Sequence, residues 1–143
     1  MNFLILLLFV FSVNALLLFI HVYWFLGGNF GLEFSNYTIR VKNKKSKSIK
    51  RNKIFIIAIL LAFIFIVNLT QTGINNINVN PNLMLWINRI ISLGFFYRSV
   101  GNFTSFGFTK SIRKGLYASL DTWIYSPVFL LMAVCQILIS MKD

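Results

Sequence analysis

Acidic residues are nearly missing: only Glu33, Asp121 and Asp143 stand against fourteen Lys and Arg, with one His and one Cys, in 143 residues. That scarcity excludes much chemistry. Cys135 has no second cysteine for an intramolecular disulfide, and its place in an apolar run reads as a small buried hydrophobe. A zinc site draws three or four ligands from His, Cys and carboxylates, so no protein-held metal and no cofactor is expected. The chain has no Gly-rich phosphate loop and no HExxH pair, and a His21–Asp121–Ser126 triad would lack a nucleophile elbow to present its serine. A catalytic role is therefore the less expected reading.

What is abundant is apolar surface. Hydrophobic residues make up 57% and charged residues 12% of the chain, more apolar surface than a soluble fold of this length can bury. A formal charge of +11 would suggest nucleic acid in a soluble protein, but eight of the fourteen bases lie between Arg40 and Lys53, wedged between two apolar runs. There they fit the positive-inside bias of a membrane protein and exclude nucleic acid as the expected partner. The richness in Phe, Ile, Asn and Lys points to an AT-rich bacterial genome.

Four spans are expected, about 3–26, 54–71, 83–100 and 121–141, giving an all-α membrane protein with its helices in one antiparallel bundle. Residues 3–26 hold no charge and, at 1.5 Å per residue, cover about 36 Å; without a basic n-region or a small-residue cleavage site, they are expected to stay attached. The second run, 54–69, is short and needs its polar neighbours Thr70 and Gln71, local thinning of the bilayer, or a snorkelling Lys53 to span. Residues 70–82 carry Gly, Pro and five Asn with no charge, a turn composition. The third span is weakened by Arg89 and Arg98, which can lift their guanidinium groups toward an interface. Residues 101–120 mix glycine and aromatics with Lys110, Arg113 and Lys114, which suits a loop or short helix lying flat at the membrane surface. Counting bases puts the first and third connections in the cytoplasm and both termini outside.

The chain reads HVYWFLGG at 21–28, YRSVGNF at 97–103 and LDTWIYSP at 120–127. Together these motifs resemble a bacterial family of small four-span proteins, domain of unknown function 3995. The resemblance implies a fold and a membrane location but no activity, and it implies an Asp at position 102, where this chain has Asn102.

The expected topology gathers His21, Tyr23, Trp24, Arg98, Asn102, Asp121 and Tyr125 at the cytoplasmic end. Charge at membrane depth costs about 2.5–3.5 kcal/mol at a helix centre, so Arg98 and Asp121 are expected to seek each other. Whether they form a register-fixing ion pair or line an anion site stays open. His21 reads as a hydrogen-bonding helix residue or a proton-transfer group, Tyr23 and Trp24 as interfacial anchors, and Gly27–Gly28 as a helix stop. Gly94, Arg98 and Gly101 fall on one stripe, which predicts a close helix approach. Lys42, Lys44, Lys45, Lys47, Lys50, Arg51 and Lys53 are expected to contact anionic lipid. The functional expectation is non-catalytic binding of a lipid headgroup or small amphipathic ligand in a cytoplasm-facing polar pocket, linked to transport or membrane protection. The alternatives are a small membrane enzyme acting on a lipid or isoprenoid, with His21 as acid/base and Arg98 as anion binder, and an accessory subunit partnering another membrane protein.

Overall fold

Uninterrupted apolar sequence forms helix readily where no Pro or Gly breaks it, and the long runs of this chain do so in the computed structural model. It describes residues 3–31, 38–40, 47–49, 51–72, 79–102, 106–111 and 116–141, with only the backbone at 38–40, 47–49 and 116. The elements are α1 (Phe3–Phe25), β1 (Thr38–Arg40), β2 (Lys47–Ile49), α2 (Arg51–Gln71), α3 (Pro81–Val100), α4 (Leu116–Leu120), a π-helical turn (Asp121–Tyr125) and α5 (Ser126–Ser140). Apart from the two three-residue strands, which pair antiparallel with Arg40 opposite Lys47, the described chain is helical.

Each helix end has a local cause. After α1, Gly27 takes a left-handed φ of 103°, and the N–H groups of Gly27 and Gly28 return to the carbonyls of Trp24 and Tyr23, the two bonds of a Schellman stop. At the start of α3, the Asn80 side chain accepts from the Asn82 N–H at 3.0 Å while Pro81 occupies the first turn, where its missing N–H costs nothing. Helix α2 begins at Arg51 rather than 54, so its 21 residues span about 31 Å and no thinning is needed. The last helix starts at 116, before the expected 121. It passes through the π turn, in which the Ser126 N–H bonds the Asp121 carbonyl five residues back. Pro127 lies just downstream, offering no N–H to the Trp123 carbonyl and crowding it, and the wider turn relieves that conflict.

Helices α1 and α2 lie antiparallel, since Phe11 meets Phe65 and Phe25 meets Phe55. Helices α3 and α5 do the same: Ser92 Oγ donates to the Ala133 carbonyl at 2.7 Å and Ser99 Oγ to the Ser126 carbonyl at 2.8 Å. One core joins them all, with Leu7 and Val10 of α1, Val67 of α2, Ile91 and Phe95 of α3, and Met132, Ala133 and Ile139 of α5. Outward, α1 and α2 present large apolar side chains such as Leu4, Leu8, Phe19, Phe55, Ile59 and Phe63.

Gly94 does not mediate a close approach. A Cβ placed there meets nothing within 4 Å among the described residues, because α3 packs on α5 through Asn88, Ile91, Ser92, Phe95 and Ser99. Residues 106–111 form a loop, one of the two forms expected for this stretch. They fold back on the end of α3, with the Phe108 N–H on the Ser99 carbonyl and the Thr109 N–H on the Val100 carbonyl, both at 3.0 Å. Of the expected lipid-contacting bases, Arg51 and Lys53 stand in the first turn of α2 and Lys47 in β2, while Lys42, Lys44, Lys45 and Lys50 lie outside the described residues.

Candidate functional site

A buried carboxylate organises the end of the molecule where α3 stops and the last helix begins. Asp121 is fully buried, and its Oδ1 accepts from Arg98 Nη2 at 2.7 Å. Its Oδ2 accepts from Lys110 Nζ at 2.9 Å and from the Gly107 N–H at 2.6 Å. Lys110 spends its other two ammonium hydrogens on Thr122 Oγ1 at 2.6 Å and the Gly107 carbonyl at 3.3 Å, so all three of its donors are used. The Arg98 guanidinium lies between two rings, 4.9 Å from the Phe106 centroid and 5.0 Å from that of Phe129, and Nη2 also reaches the Tyr117 hydroxyl at 3.5 Å. Rings stabilise a partly desolvated cation in this way.

The turn that carries Lys110 and Gly107 is built on two glycines. Gly101 adopts φ 101° and ψ −177°, a region essentially restricted to glycine, and a Cβ on it would run into the Phe106 carbonyl oxygen. Gly107, at φ 86°, lies so close to Gly101 that a Cβ would meet the Gly101 Cα and the Val100 carbonyl. The backbones touch there, and that contact aims the Gly107 N–H at Asp121. Asn102 belongs to the same turn, its Oδ1 accepting from the Phe106 N–H at 3.3 Å.

Arg98 and Asp121 therefore meet as expected, and Tyr125 packs its ring against Tyr117 at 6.4 Å beside them. His21, Tyr23 and Trp24 stand in the last turns of α1, and none of their described hydrogen bonds reaches Arg98 or Asp121. His21 Nδ1 donates to the Leu17 carbonyl at 2.7 Å, the Tyr23 ring covers Gly28, and Trp24 Nε1 donates to the Phe30 carbonyl at 2.8 Å. Trp24 is 9% exposed and packs with Ile54, which makes it a core residue more than an interfacial anchor. Ser126 is buried with its Oγ unpartnered among the described residues, so no serine-to-base hydrogen bond of a triad exists there. Arg89 is set apart, stacked on Trp86 at 5.3 Å.

Sequence reasoning missed Lys110, the second cation on Asp121. A lysine among aromatics and glycines reads as an interfacial charge, and the only available signal was that a single acid faced several bases.

Helices α1, α2 and Tyr117–Ser140 are each long and apolar enough to cross a membrane, which makes this a multi-pass helical membrane protein. Its end-cluster joins one carboxylate to two cations. The chain belongs to the family described as "Protein of unknown function (DUF3995)", whose sequence profile matches residues 14–136, most of the chain. No curated protein and no solved structure matches it.

Proposed function

We propose that the protein is a four-span antiparallel bundle of the bacterial cytoplasmic membrane, with both termini outside, that holds an anionic lipid headgroup at the Arg98 end without transforming it. The fourth span is α3, whose pattern is inside-out: Asn88, Ser92 and Ser99 are buried while Leu83, Trp86, Ile90, Leu93 and Phe96 are exposed. Its polar residues lower its average hydropathy but face protein, so its outer surface suits lipid. Fusing reporters to the full chain tests the topology. An extracytoplasmic reporter at the C-terminus should be active and a cytoplasmic one inactive, with the reverse for insertions at 41–46; cytoplasmic activity at the C-terminus rejects the orientation.

The charge count of the end-cluster carries the binding proposal. Arg98 and Lys110 bring two positive charges to the single negative charge of Asp121. The Arg98 side chain is still 26% exposed, while its Nη1 is buried without a partner among the described residues, so a headgroup reaches that donor only by moving what covers it. A guanidinium with a spare donor in a net-positive cluster suits a phosphate oxygen, for which arginine geometry is well matched. Bases of the first connection add long-range attraction, about 1 kcal/mol for each that nears the surface. In native mass spectrometry of the full-length protein, phosphatidylglycerol should be retained over phosphatidylcholine. Salt should remove the surface component and spare the one at Arg98. Equal retention of both lipids rejects the reading. The closed packing around Asp121 and Lys110 favours a second reading, an accessory subunit in which the cluster only fixes helix register.

A further inference from the structure

The opposite end of the molecule carries a different polar cluster, built of amides. Asn88 Oδ1 accepts from Gln71 Nε2 at 2.7 Å and from Gln136 Nε2 at 2.8 Å, and Gln136 Nε2 also donates to Asn68 Oδ1 at 3.2 Å. Three helices, α2, α3 and α5, each contribute at least one amide. Asn68, Asn88 and Gln136 are fully buried. Two donors, Asn68 Nδ2 and Asn88 Nδ2, and two acceptors, Gln71 Oε1 and Gln136 Oε1, remain without partners among the described residues. Turning all four amides over would exchange donors for acceptors and leave four atoms unpaired as before. Interhelical glue needs one bond per contact, whereas each unmet buried group costs about 1–3 kcal/mol. The surplus points to something that both donates and accepts.

Beside the cluster opens a cleft of about 220 Å³, with Phe3, Met84 and Ile139 in its apolar lining and Thr70 and Gln71 on its polar side. Gln71 belongs to both, lining the cleft while its Nε2 holds Asn88. We propose that this amide cluster is a binding site for the hydroxyl-bearing head of a neutral amphiphile, which enters by the cleft and bridges the orphaned Gln71 Oε1 and Asn88 Nδ2. A hydroxyl donates to a glutamine carbonyl and accepts from an asparagine N–H, answering one orphan of each kind. The group is uncharged, because among the described residues no charged side chain lines the cleft and an unpaired ion is costly at this depth. The volume falls below the range of about 300 Å³ and up for drug-sized ligands, so it takes a small head and leaves an acyl tail against the apolar lining and the bilayer. This site is independent of Arg98, and its probe carries no phosphate.

The test uses the full-length protein in an amine-oxide detergent, which brings no competing hydroxyl. Monoolein should bind saturably and at least tenfold more tightly than methyl oleate, which has the tail without hydroxyls. Gln71→Met should lose at least tenfold of that preference while keeping the wild-type melting temperature. Glycerol alone, binding as tightly as monoolein, would keep the hydroxyl site and assign it to a soluble polyol. Equal binding of monoolein and methyl oleate by the wild-type protein overturns the proposal, and that comparison does not depend on any variant folding.

Discussion

Asp121→Asn should be among the most damaging conservative substitutions in the chain, destabilising it by about 3–5 kcal/mol, the usual consequence of removing one partner from a buried ion pair. Two cations would be left facing a neutral amide, and Lys110 is as buried as the aspartate. Arg98→Met should cost less, because Lys110 and the Gly107 N–H still compensate the carboxylate. The double change Arg98→Met with Asp121→Asn should recover only part of the loss. It leaves the Lys110 ammonium facing only neutral acceptors, the Thr122 hydroxyl, the Gly107 carbonyl and the new amide oxygen, with no counter-charge. Adding Lys110→Met removes the last charge and should restore more of the stability, a coupling that spans three residues instead of two. Melting temperatures of the purified series in mild detergent would show it. Strict additivity among the three sites would mean that the cluster is not a unit.

Gly101→Ala should be comparably severe, at about 3 kcal/mol or more, and should sharply lower the yield of folded protein. Two independent faults add: alanine is poorly tolerated at φ 101° with extended ψ, and its methyl group would occupy the space of the Phe106 carbonyl. The chain would have to lift the 106–111 turn, carrying the Gly107 N–H and Lys110 away from Asp121. Gly94→Ala is the matched control. That glycine is helical with open space around it, so alanine should be neutral or stabilising by up to about 1 kcal/mol. Size-exclusion profiles and melting curves of the two variants compare them directly, and a well-folded Gly101→Ala protein would show that the turn adapts.

The contrast between these glycines shows what sequence periodicity can and cannot reveal. Helices α1 and α2 were legible because apolar runs without charge have few alternatives in a small protein. The Arg98–Asp121 contact was legible because charge near a membrane has few places to go. Gly94 was misread because a stripe identifies a helix face without saying which neighbour, if any, covers it. Lys110 was invisible because its partner choice depends on a turn set by two glycine backbones in contact, a tertiary event. The amide cluster was equally hidden, since Asn68, Gln71, Asn88 and Gln136 are scattered along the sequence and meet only when α2, α3 and α5 assemble. The early start of α2 was hidden because an apolar run ends at its first charge whereas a helix need not: Arg51 and Lys53 are helical with exposed side chains.

The π turn at Asp121–Tyr125 acts as a phase shifter between the two ends of the last helix. One extra residue in a helical turn rotates everything upstream by about 100° relative to the helix downstream of it. With that residue present, Asp121 faces Arg98 while Met132, Gln136 and Ile139 keep their places in the bundle. Delete any single residue from the turn and one half must give way: either the carboxylate swings toward lipid or the buried stripe of α5 does. The number of residues between Asp121 and Pro127 is thus itself a constraint, one that tolerates exchange of side chains at Trp123 or Ile124, which are exposed, but not a change of count.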